Sequence, residues 1–141
     1  MTTPLTCLLL FAGWTLLPLL LVLAPIRILA VLRGKAKAGD FPADQPHGTD
    51  FYRRIMRAHM NCVENLPIFG TVVVVGTLAG ISSTTFDHLA IAAIVARVGQ
   101  TIAHVASGRG LVINIRFTFF AIQVGCFIAM GVMCVMGAVA H

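Results

Sequence analysis

Charged side chains are scarce in this sequence. Asp, Glu, Lys and Arg make up 11% of its 141 residues, whereas hydrophobic residues make up 58%, and the mean hydropathy is +0.93. Soluble globular domains carry about 25% charged residues, so this composition excludes an ordinary water-soluble domain. It indicates an all-α integral membrane protein, and no repeat or low-complexity tract divides residues 1–141 into more than one domain.

Acidic residues are scarcer than basic ones, with five Asp and Glu against ten Lys and Arg. The first apolar run contains no carboxylate, which argues against a small four-helix exporter driven by protons, because such a carrier needs a carboxylate in the membrane. Glu64 is the one acidic residue that falls inside an apolar segment of the sequence, and arginines lie near it. Proton-coupled transport is therefore the weakest functional reading.

Metal-ligand spacings are also missing from the sequence. The cysteines stand singly in apolar runs, with no C-x-x-C pair and no histidine at ligand spacing: Cys7, Cys62, Cys126 and Cys134. We therefore expect them to be small buried hydrophobic side chains, and we expect no metal site.

Four apolar segments are long enough to cross a bilayer. The first includes twenty uncharged residues from Leu5 to Ala24, about the number needed to span the hydrocarbon core. No basic segment precedes it, so we read it as a retained helix rather than a secretory signal. Pro18 and Pro25 are expected to kink this helix. The four-helix bundle predicted from these segments has helices at about residues 5–32, 50–80, 86–106 and 111–139.

The basic residues indicate topology rather than nucleic-acid binding, although the net charge is +5. Most of them cluster in or beside the first loop, and one more lies in the last loop: Arg27, Arg33, Lys35, Lys37, Arg53, Arg54 and Arg57, then Arg109. By the positive-inside rule both loops are cytoplasmic, which puts both termini outside.

Polar side chains interrupt three of the apolar segments and share one helical face in each. Arg57, Asn61 and Glu64 stand at i, i+4 and i+7, which aligns them over about two turns. The corresponding residues elsewhere are Arg97, Gln100 and His104 in the third segment and Arg116 and Gln123 in the fourth. We expect one pocket near the cytoplasmic surface with a surplus of positive charge, which calls for an anionic ligand.

A purely structural role is the alternative for these polar residues, because hydrogen-bond networks also fix how membrane helices pack. For Arg97, an ion pair with Glu64 would be enough without any ligand. His59 lies about 200° from Arg57 on a helical wheel, so we expect it at the membrane interface and away from the pocket.

Several stretches resemble the MAPEG family, the membrane-associated proteins in eicosanoid and glutathione metabolism. The run R-A-H-M-N-C-V-E-N-L-P at residues 57–67 resembles the family's second helix, and R-V-G-Q-T-I-A-H at residues 97–104 is similar to its third. Ile115 and Arg116 resemble the opening of the fourth. The resemblance extends over the length and layout of the chain and points to a bacterial-type microsomal glutathione transferase-like member.

The resemblance implies a homotrimer in a bacterial inner membrane, with glutathione bound between subunits on the cytoplasmic side. It implies an ion pair between Glu64 and Arg97, a thiolate-stabilising role for Arg116, and contact of Arg33 with a carboxylate of the ligand. The residues it assigns to glutathione or to the surrounding pocket are Arg33, Arg57, Asn61, Glu64 and Arg97, and Gln100, on the same face as Arg97, is a further candidate for binding glutathione. The implied second substrate is a lipophilic electrophile or a lipid hydroperoxide.

The chemistry of glutathione suits these residue types. Its two carboxylates are natural partners for arginine, and its ammonium suits a carboxylate such as Glu64. A fixed cation raises the thiolate fraction of a thiol whose pKa is about 8.5 when free.

The sequence departs from the family's catalytic members in its aromatic residues. They typically present tyrosines from the third helix, whereas His104 stands at the matching position here, Phe120 stands in the fourth helix, and the single tyrosine is Tyr52. Donation to the thiol would then need His104, Gln100 or a water. The leading hypothesis is a glutathione-dependent transferase or peroxidase with Arg116 and His104 as catalytic residues. Its rival is a non-catalytic member that binds a lipid or regulates a partner.

Overall fold

The chain folds into a bundle of long helices. The computed structural model describes residues 1–41, 47–106 and 110–139, and these ranges contain no β-strand. Within them, four stretches are long and apolar enough to cross a membrane: Thr3–Leu32, Asp50–Leu78, Thr84–Ala106 and Gly110–Gly137. The all-helical, four-span architecture predicted from the sequence is confirmed. Arg109 and the centre of the first basic loop lie outside the described residues.

A π-helical turn interrupts the first span. Helix α1 covers Thr3–Pro18, the π-helical segment covers Leu19–Leu23, and α2 covers Ala24–Leu32. The segment lies between Pro18 and Pro25, which both lack the N–H group that an α-helix uses. At its end the Ala24 N–H donates to the Leu19 carbonyl five residues back, which is the π-helical spacing. The turn therefore lies where the two prolines predict a kink.

Short-range hydrogen bonds define the starts of the next helices. The remaining elements are α3 at Asp50–Leu78, α4 at Thr84–Ala106 and α5 at Gly110–Val139. Thr49 Oγ1 accepts from the Tyr52 N–H at 3.2 Å, and Ser83 Oγ accepts from the Phe86 N–H at 3.1 Å. Each hydroxyl satisfies an N–H that has no partner inside its helix. Helix α3 continues through Pro67.

Two glycines end helices in the same way. Gly34 follows α2 and Gly80 follows α3, each with a positive φ, at 64° and 68°. The N–H after each glycine reaches back five residues, from Lys35 to the Ala30 carbonyl at 2.9 Å and from Ile81 to the Gly76 carbonyl at 3.0 Å. This is the Schellman arrangement, in which glycine takes the left-handed position without a steric penalty.

The helices pack around a core of aromatic and small side chains. Helix α1 lies against α3 and α4, while α5 lies against α4 and α3. A row of rings crosses the bundle: Phe11 and Phe69 have centroids 5.3 Å apart, and Phe69 and Phe127 are 5.5 Å apart. The row joins α1, α3 and α5, so it fixes the relative positions of α3 and α5, which carry Asn61 and Arg116.

Glycine allows close packing at two helix contacts. A Cβ added at Gly76 would lie 2.4 Å from the ring of Phe86, and one added at Gly99 would lie 2.6 Å from the ring of Phe119. Gly76 thus brings α3 against α4, and Gly99 brings α4 against α5. Gly80, in contrast, has open space around it and serves to terminate α3.

Candidate functional site

Three of the candidate residues converge at the end of the bundle where α3 begins and α4 ends. Asn61 Nδ2 on α3 lies 3.0 Å from His104 Nε2 on α4, and Arg116 Nη1 on α5 lies 3.2 Å from His104 Nδ1. All three side chains are half-buried. The structure therefore links one polar residue from each of three helices through a single imidazole ring.

The chemistry of these contacts fixes the direction of the hydrogen bonds. Arginine only donates, so Nδ1 of His104 must accept the bond from Arg116. A neutral imidazole then carries its proton on Nε2, and that N–H needs an acceptor. The Asn61 amide supplies one when its oxygen faces the ring, since the amide oxygen and nitrogen are assigned from such networks. Both ring nitrogens of His104 are then engaged.

Local structure explains why these side chains meet. His104 lies in the last turn of α4, Arg116 lies about two turns into α5, and the two helices pack against each other, which brings these side chains together. Gly99 allows α4 and α5 to approach closely just before that point. One turn further along α3, Asn65 Nδ2 donates to the backbone carbonyl of Asn61 at 2.7 Å, which leaves the Asn61 side chain to contact His104.

Arg57 and Glu64 lie on the outward side of this cluster. Both side chains are exposed in the single chain, whereas Asn61 between them is half-buried. The predicted stripe is therefore a continuous edge on α3, with Asn61 turned toward His104 and the two charges turned away from the bundle. In the described part of the chain neither charge forms an ion pair.

Arg97 and Gln100 lie in the interior of the bundle, not in an open pocket. Their exposed fractions are 1% and 4%. The ion pair between Glu64 and Arg97 that the resemblance implies is absent within the chain, where the one ion pair among the described residues joins Arg53 to Asp50. The reason is orientation: Arg97 faces the core between α1 and α5, while Glu64 faces outward from α3.

The Arg97 guanidinium has a neutral partner instead of a carboxylate. Its Nη2 donates to Gln123 Oε1 on α5 at 2.5 Å, and its Cζ lies 5.5 Å from the centroid of the Phe11 ring. Among the described residues, three buried polar atoms have no hydrogen-bond partner: Arg97 Nε, Gln100 Oε1 and Gln123 Nε2. Burying a cation without a carboxylate in the apolar core costs free energy. The Arg97 cluster therefore joins the helices but lowers the stability of the fold.

Arg33 stands apart from the other candidates. It is the exposed residue that follows the last turn of α2, directly before Gly34. Its backbone N–H donates to the Leu29 carbonyl at 3.1 Å, and among the described residues no ion pair involves its side chain. Its contact with a ligand carboxylate stays a prediction.

The sequence did not reveal a second polar cluster at this end. Arg27 Nε donates to the Tyr52 hydroxyl at 2.7 Å, and His47 Nε2 lies 3.2 Å from the same oxygen. The guanidinium also lies over the rings of Phe41 and Tyr52. The single tyrosine of the chain is therefore buried beside Arg27. Its position at the start of a helix gave no sign of this partner.

His59 lies on the inner side of α3, away from the exposed Arg57. Its Nδ1–H donates to the Thr15 carbonyl of α1 at 2.9 Å, and the side chain is half-buried. The expected separation of His59 from the Arg57 face is therefore observed, whereas its position at the membrane interface stays a prediction.

Comparison with known proteins identifies the family. The model of the MAPEG family matches residues 5–136, which is nearly the whole chain. The chain belongs to the MAPEG family. MAPEG proteins are membrane proteins of glutathione and eicosanoid metabolism, and members use glutathione as a cosubstrate. With its four apolar helices, the chain is therefore an integral membrane protein of this family. A search of curated proteins finds no match to the chain.

Proposed function

We propose that this chain is a membrane glutathione-dependent transferase or peroxidase of the bacterial microsomal type. The observation that carries the proposal is the hydrogen-bonded chain Asn61–His104–Arg116, which fixes a guanidinium at the edge of the bundle. Membership of the MAPEG family supports glutathione as the cosubstrate. When bound, glutathione supplies a thiolate that attacks a lipophilic electrophile or a lipid hydroperoxide.

Arg116 is the residue assigned to the thiolate. It uses one N–H on His104, and no carboxylate among the described residues pairs with it. A guanidinium carries five N–H donors, so others stay available to an anion. A fixed positive charge in a site with little water stabilises a thiolate strongly.

His104 acts on Arg116 in this proposal. Both of its ring nitrogens form hydrogen bonds, so the ring fixes the positions of Arg116 and Asn61. No N–H of the ring is left to donate to a thiol. We therefore assign His104 a positioning role. Its prediction as a thiol donor would require the contact with Asn61 to open.

The remaining residues fit binding of a charged tripeptide. Arg57 suits a carboxylate and Glu64 suits the ammonium, and both side chains are exposed on the same edge as Asn61. Arg33 is a further basic residue at the same end of the bundle. Arg97 and Gln100 are buried in the core, so in this proposal they pack α4 against its neighbours and do not touch the ligand.

The site is completed by neighbouring copies in a homotrimer, and it faces the cytoplasm of a bacterial inner membrane. The support for further copies is the exposure of Arg57 and Glu64 on a membrane-spanning helix. Charged groups that face lipid are costly, so another polar surface is expected to cover them. The support for the cytoplasmic orientation is the cluster of basic residues beside the first loop.

The rival function is a non-catalytic member that binds lipid or regulates a partner. It is favoured by the position of Tyr52, whose hydroxyl is engaged by Arg27 and His47, so no tyrosine contacts His104 or Arg116.

Titration of the purified protein with glutathione by calorimetry, followed by conjugation of a chlorinated aromatic compound, separates the two functions. We expect saturable binding and conjugation, with conjugation reduced at least tenfold in Arg116→Ala. Absence of both in the wild-type protein would reject the enzymatic proposal and favour the rival.

A further inference from the structure

An apolar groove runs along the bundle, on a side away from the hydrogen-bonded residues Asn61, His104 and Arg116. It lies between the first span, the start of α3 and the end of α4, and its volume is about 500 Å³. Its walls include Trp14, Val22, Ile55, Ile102 and Val105. The residues from Trp14 to Val22 extend it over about 12 Å of the first span, given a rise of 1.5 Å per residue.

The groove offers no free hydrogen-bonding group in its wall. The Trp14 Nε1–H donates to Thr101 Oγ1 at 3.2 Å, and Thr101 Oγ1 also lies 3.7 Å from Cys62 Sγ. The polar atoms of the wall are thus paired with each other. A ligand that lies along this surface must be a hydrocarbon, and in a membrane-spanning segment the available hydrocarbon is an acyl chain.

Arg54 marks one end of the groove. Its Nε donates to the Val105 carbonyl at 3.1 Å, and its neighbour Ile55 lines the groove. In the described part of the chain no carboxylate pairs with Arg54, whereas the adjacent Arg53 pairs with Asp50. The hydrogen bond therefore holds a guanidinium without a carboxylate partner beside Val105, which lines the groove.

We propose that this groove binds one acyl chain of an anionic phospholipid, with the lipid phosphate at Arg54. An arginine anchored by one N–H keeps others for a phosphate, and an anionic headgroup also complements the basic residues beside the first loop. Arg53 and Arg54 thus differ in role: Arg53 is neutralised within the chain, and Arg54 is neutralised by the lipid.

The lipid site is separate from the proposed glutathione site. Ile102 lines the groove and His104 belongs to the polar cluster, and the two lie about 200° apart around α4. Loss of lipid binding and loss of glutathione binding are therefore expected to be independent.

Trp14 provides a direct readout, because it is the only tryptophan of the chain and it lines the groove. Phosphatidylglycerol with brominated acyl chains is titrated into the purified protein in detergent micelles while Trp14 fluorescence is measured. Phosphatidylcholine with the same brominated chains serves as the neutral-headgroup comparison. We expect saturable quenching by both lipids, with at least fivefold less phosphatidylglycerol needed for half the effect.

Matched variants separate the headgroup from the chain. Arg54→Gln is expected to abolish the fivefold difference between the two lipids, whereas Arg53→Gln retains it. Ile102→Phe narrows the groove and is expected to weaken quenching by both lipids at least threefold. Val95→Phe, an exposed position two turns earlier on the same face of α4 that does not line the groove, is the control and is expected to behave as wild type.

Three results would overturn the proposal. Equal quenching by the two lipids would contradict the proposed preference for an anionic headgroup, because both lipids carry a phosphate and only phosphatidylglycerol has a net negative charge. Equal losses in Arg53→Gln and Arg54→Gln would indicate a diffuse attraction to basic residues. No quenching by either lipid would show that something else covers the groove, such as a second copy of the chain. If Arg54→Gln fails to fold, the Ile102→Phe and Val95→Phe pair still decides whether the groove holds the acyl chain.

Discussion

At the scale of single residues, the organising group is His104. Its ring accepts from Arg116 and donates to Asn61, so one neutral side chain sets the positions of two others on different helices. A hydrogen bond of this kind contributes about 1 kcal/mol net, but an orphaned partner in an apolar environment costs about 1 to 3 kcal/mol. Removing the ring therefore has more effect than removing either neighbour.

We predict that His104→Phe lowers both thermal stability and conjugation. The phenyl ring keeps the bulk but leaves Asn61 and Arg116 without their partner, so we expect a loss of about 2 kcal/mol in stability and a tenfold lower conjugation rate. The matched control is His88→Phe, an exposed histidine in the first turns of α4, which should change neither. A normal rate in His104→Phe would show that Arg116 is held in place without the imidazole.

The Arg97–Gln123 pair makes a second prediction at this scale. Gln123→Met leaves the buried cation without an acceptor, so we expect a loss of about 2 to 3 kcal/mol in the free energy of unfolding. Arg97→Met should cost less, because only a neutral amide is orphaned. The double variant should be no less stable than Arg97→Met alone, since apolar residues often replace a buried polar pair at little cost.

Thermal denaturation of the three variants in detergent measures this coupling. If the double variant loses the sum of the two single losses, Arg97 and Gln123 act independently and the contact between them contributes nothing.

Residue orientation is where the sequence was least informative. Its periodicity correctly aligned Arg57, Asn61 and Glu64, because a helical wheel gives relative angles. It did not say which face of the helix turns inward, since that depends on the neighbours. It therefore gave no sign that His59 contacts Thr15. The pair of Arg97 with Glu64 was implied by the resemblance, whereas within the chain Arg97 contacts Gln123.

At the scale of elements, the contacts between helices depend on glycines facing aromatic rings. Phe86 is 1% exposed and opposes Gly76, while Phe119 is half-buried and opposes Gly99. A buried ring has nowhere to move, whereas a ring near the surface has room to rotate away. The two contacts should therefore respond differently to an added methyl group.

We predict that Gly76→Ala destabilises the bundle by about 1 to 3 kcal/mol through overpacking, and that Gly99→Ala costs less. Gly125→Ala is the control, because an added Cβ there meets nothing within 4 Å. It should be neutral or more stable by up to about 1 kcal/mol, since alanine favours helix. Melting temperatures in one detergent compare the three. Equal losses at Gly76 and Gly99 would contradict the role of ring burial.

The helices themselves were predictable, because their signals are local. Long apolar runs indicated four spans, and Pro18 and Pro25 indicated the disturbance that the structure shows as a π-helical turn. The role of each glycine was not predictable, because a glycine that ends a helix, such as Gly80, and one that allows close packing, such as Gly76, look the same in a sequence.

At the scale of the whole molecule, the single chain leaves charge exposed on a membrane-spanning helix. Arg57 and Glu64 are both exposed on α3. A charge at the bilayer centre costs about 2.5 to 3.5 kcal/mol on insertion scales. In the proposed homotrimer, contact with further copies removes this cost and gives the two side chains partners.

We predict that the purified protein sediments as three copies of the 15.0 kDa chain in density-matched detergent. Replacing Glu64 with Leu should shift the population toward single chains, because the substitution removes the charge that contacts a neighbouring subunit in the proposed homotrimer. Replacing the neighbouring exposed Val63 with Leu is the control. A wild-type protein that sediments as a monomer would contradict a shared site.

The central claim is that Arg116, held by His104, stabilises the thiolate of glutathione. The ultraviolet absorbance of the thiolate, recorded at neutral pH as glutathione is added to the purified protein, measures this directly. We predict a saturable thiolate signal in the wild type, at least a tenfold smaller signal in Arg116→Ala and a partial one in Arg116→Lys. Bound glutathione without a thiolate signal, or the same signal in Arg116→Ala, would contradict the claim.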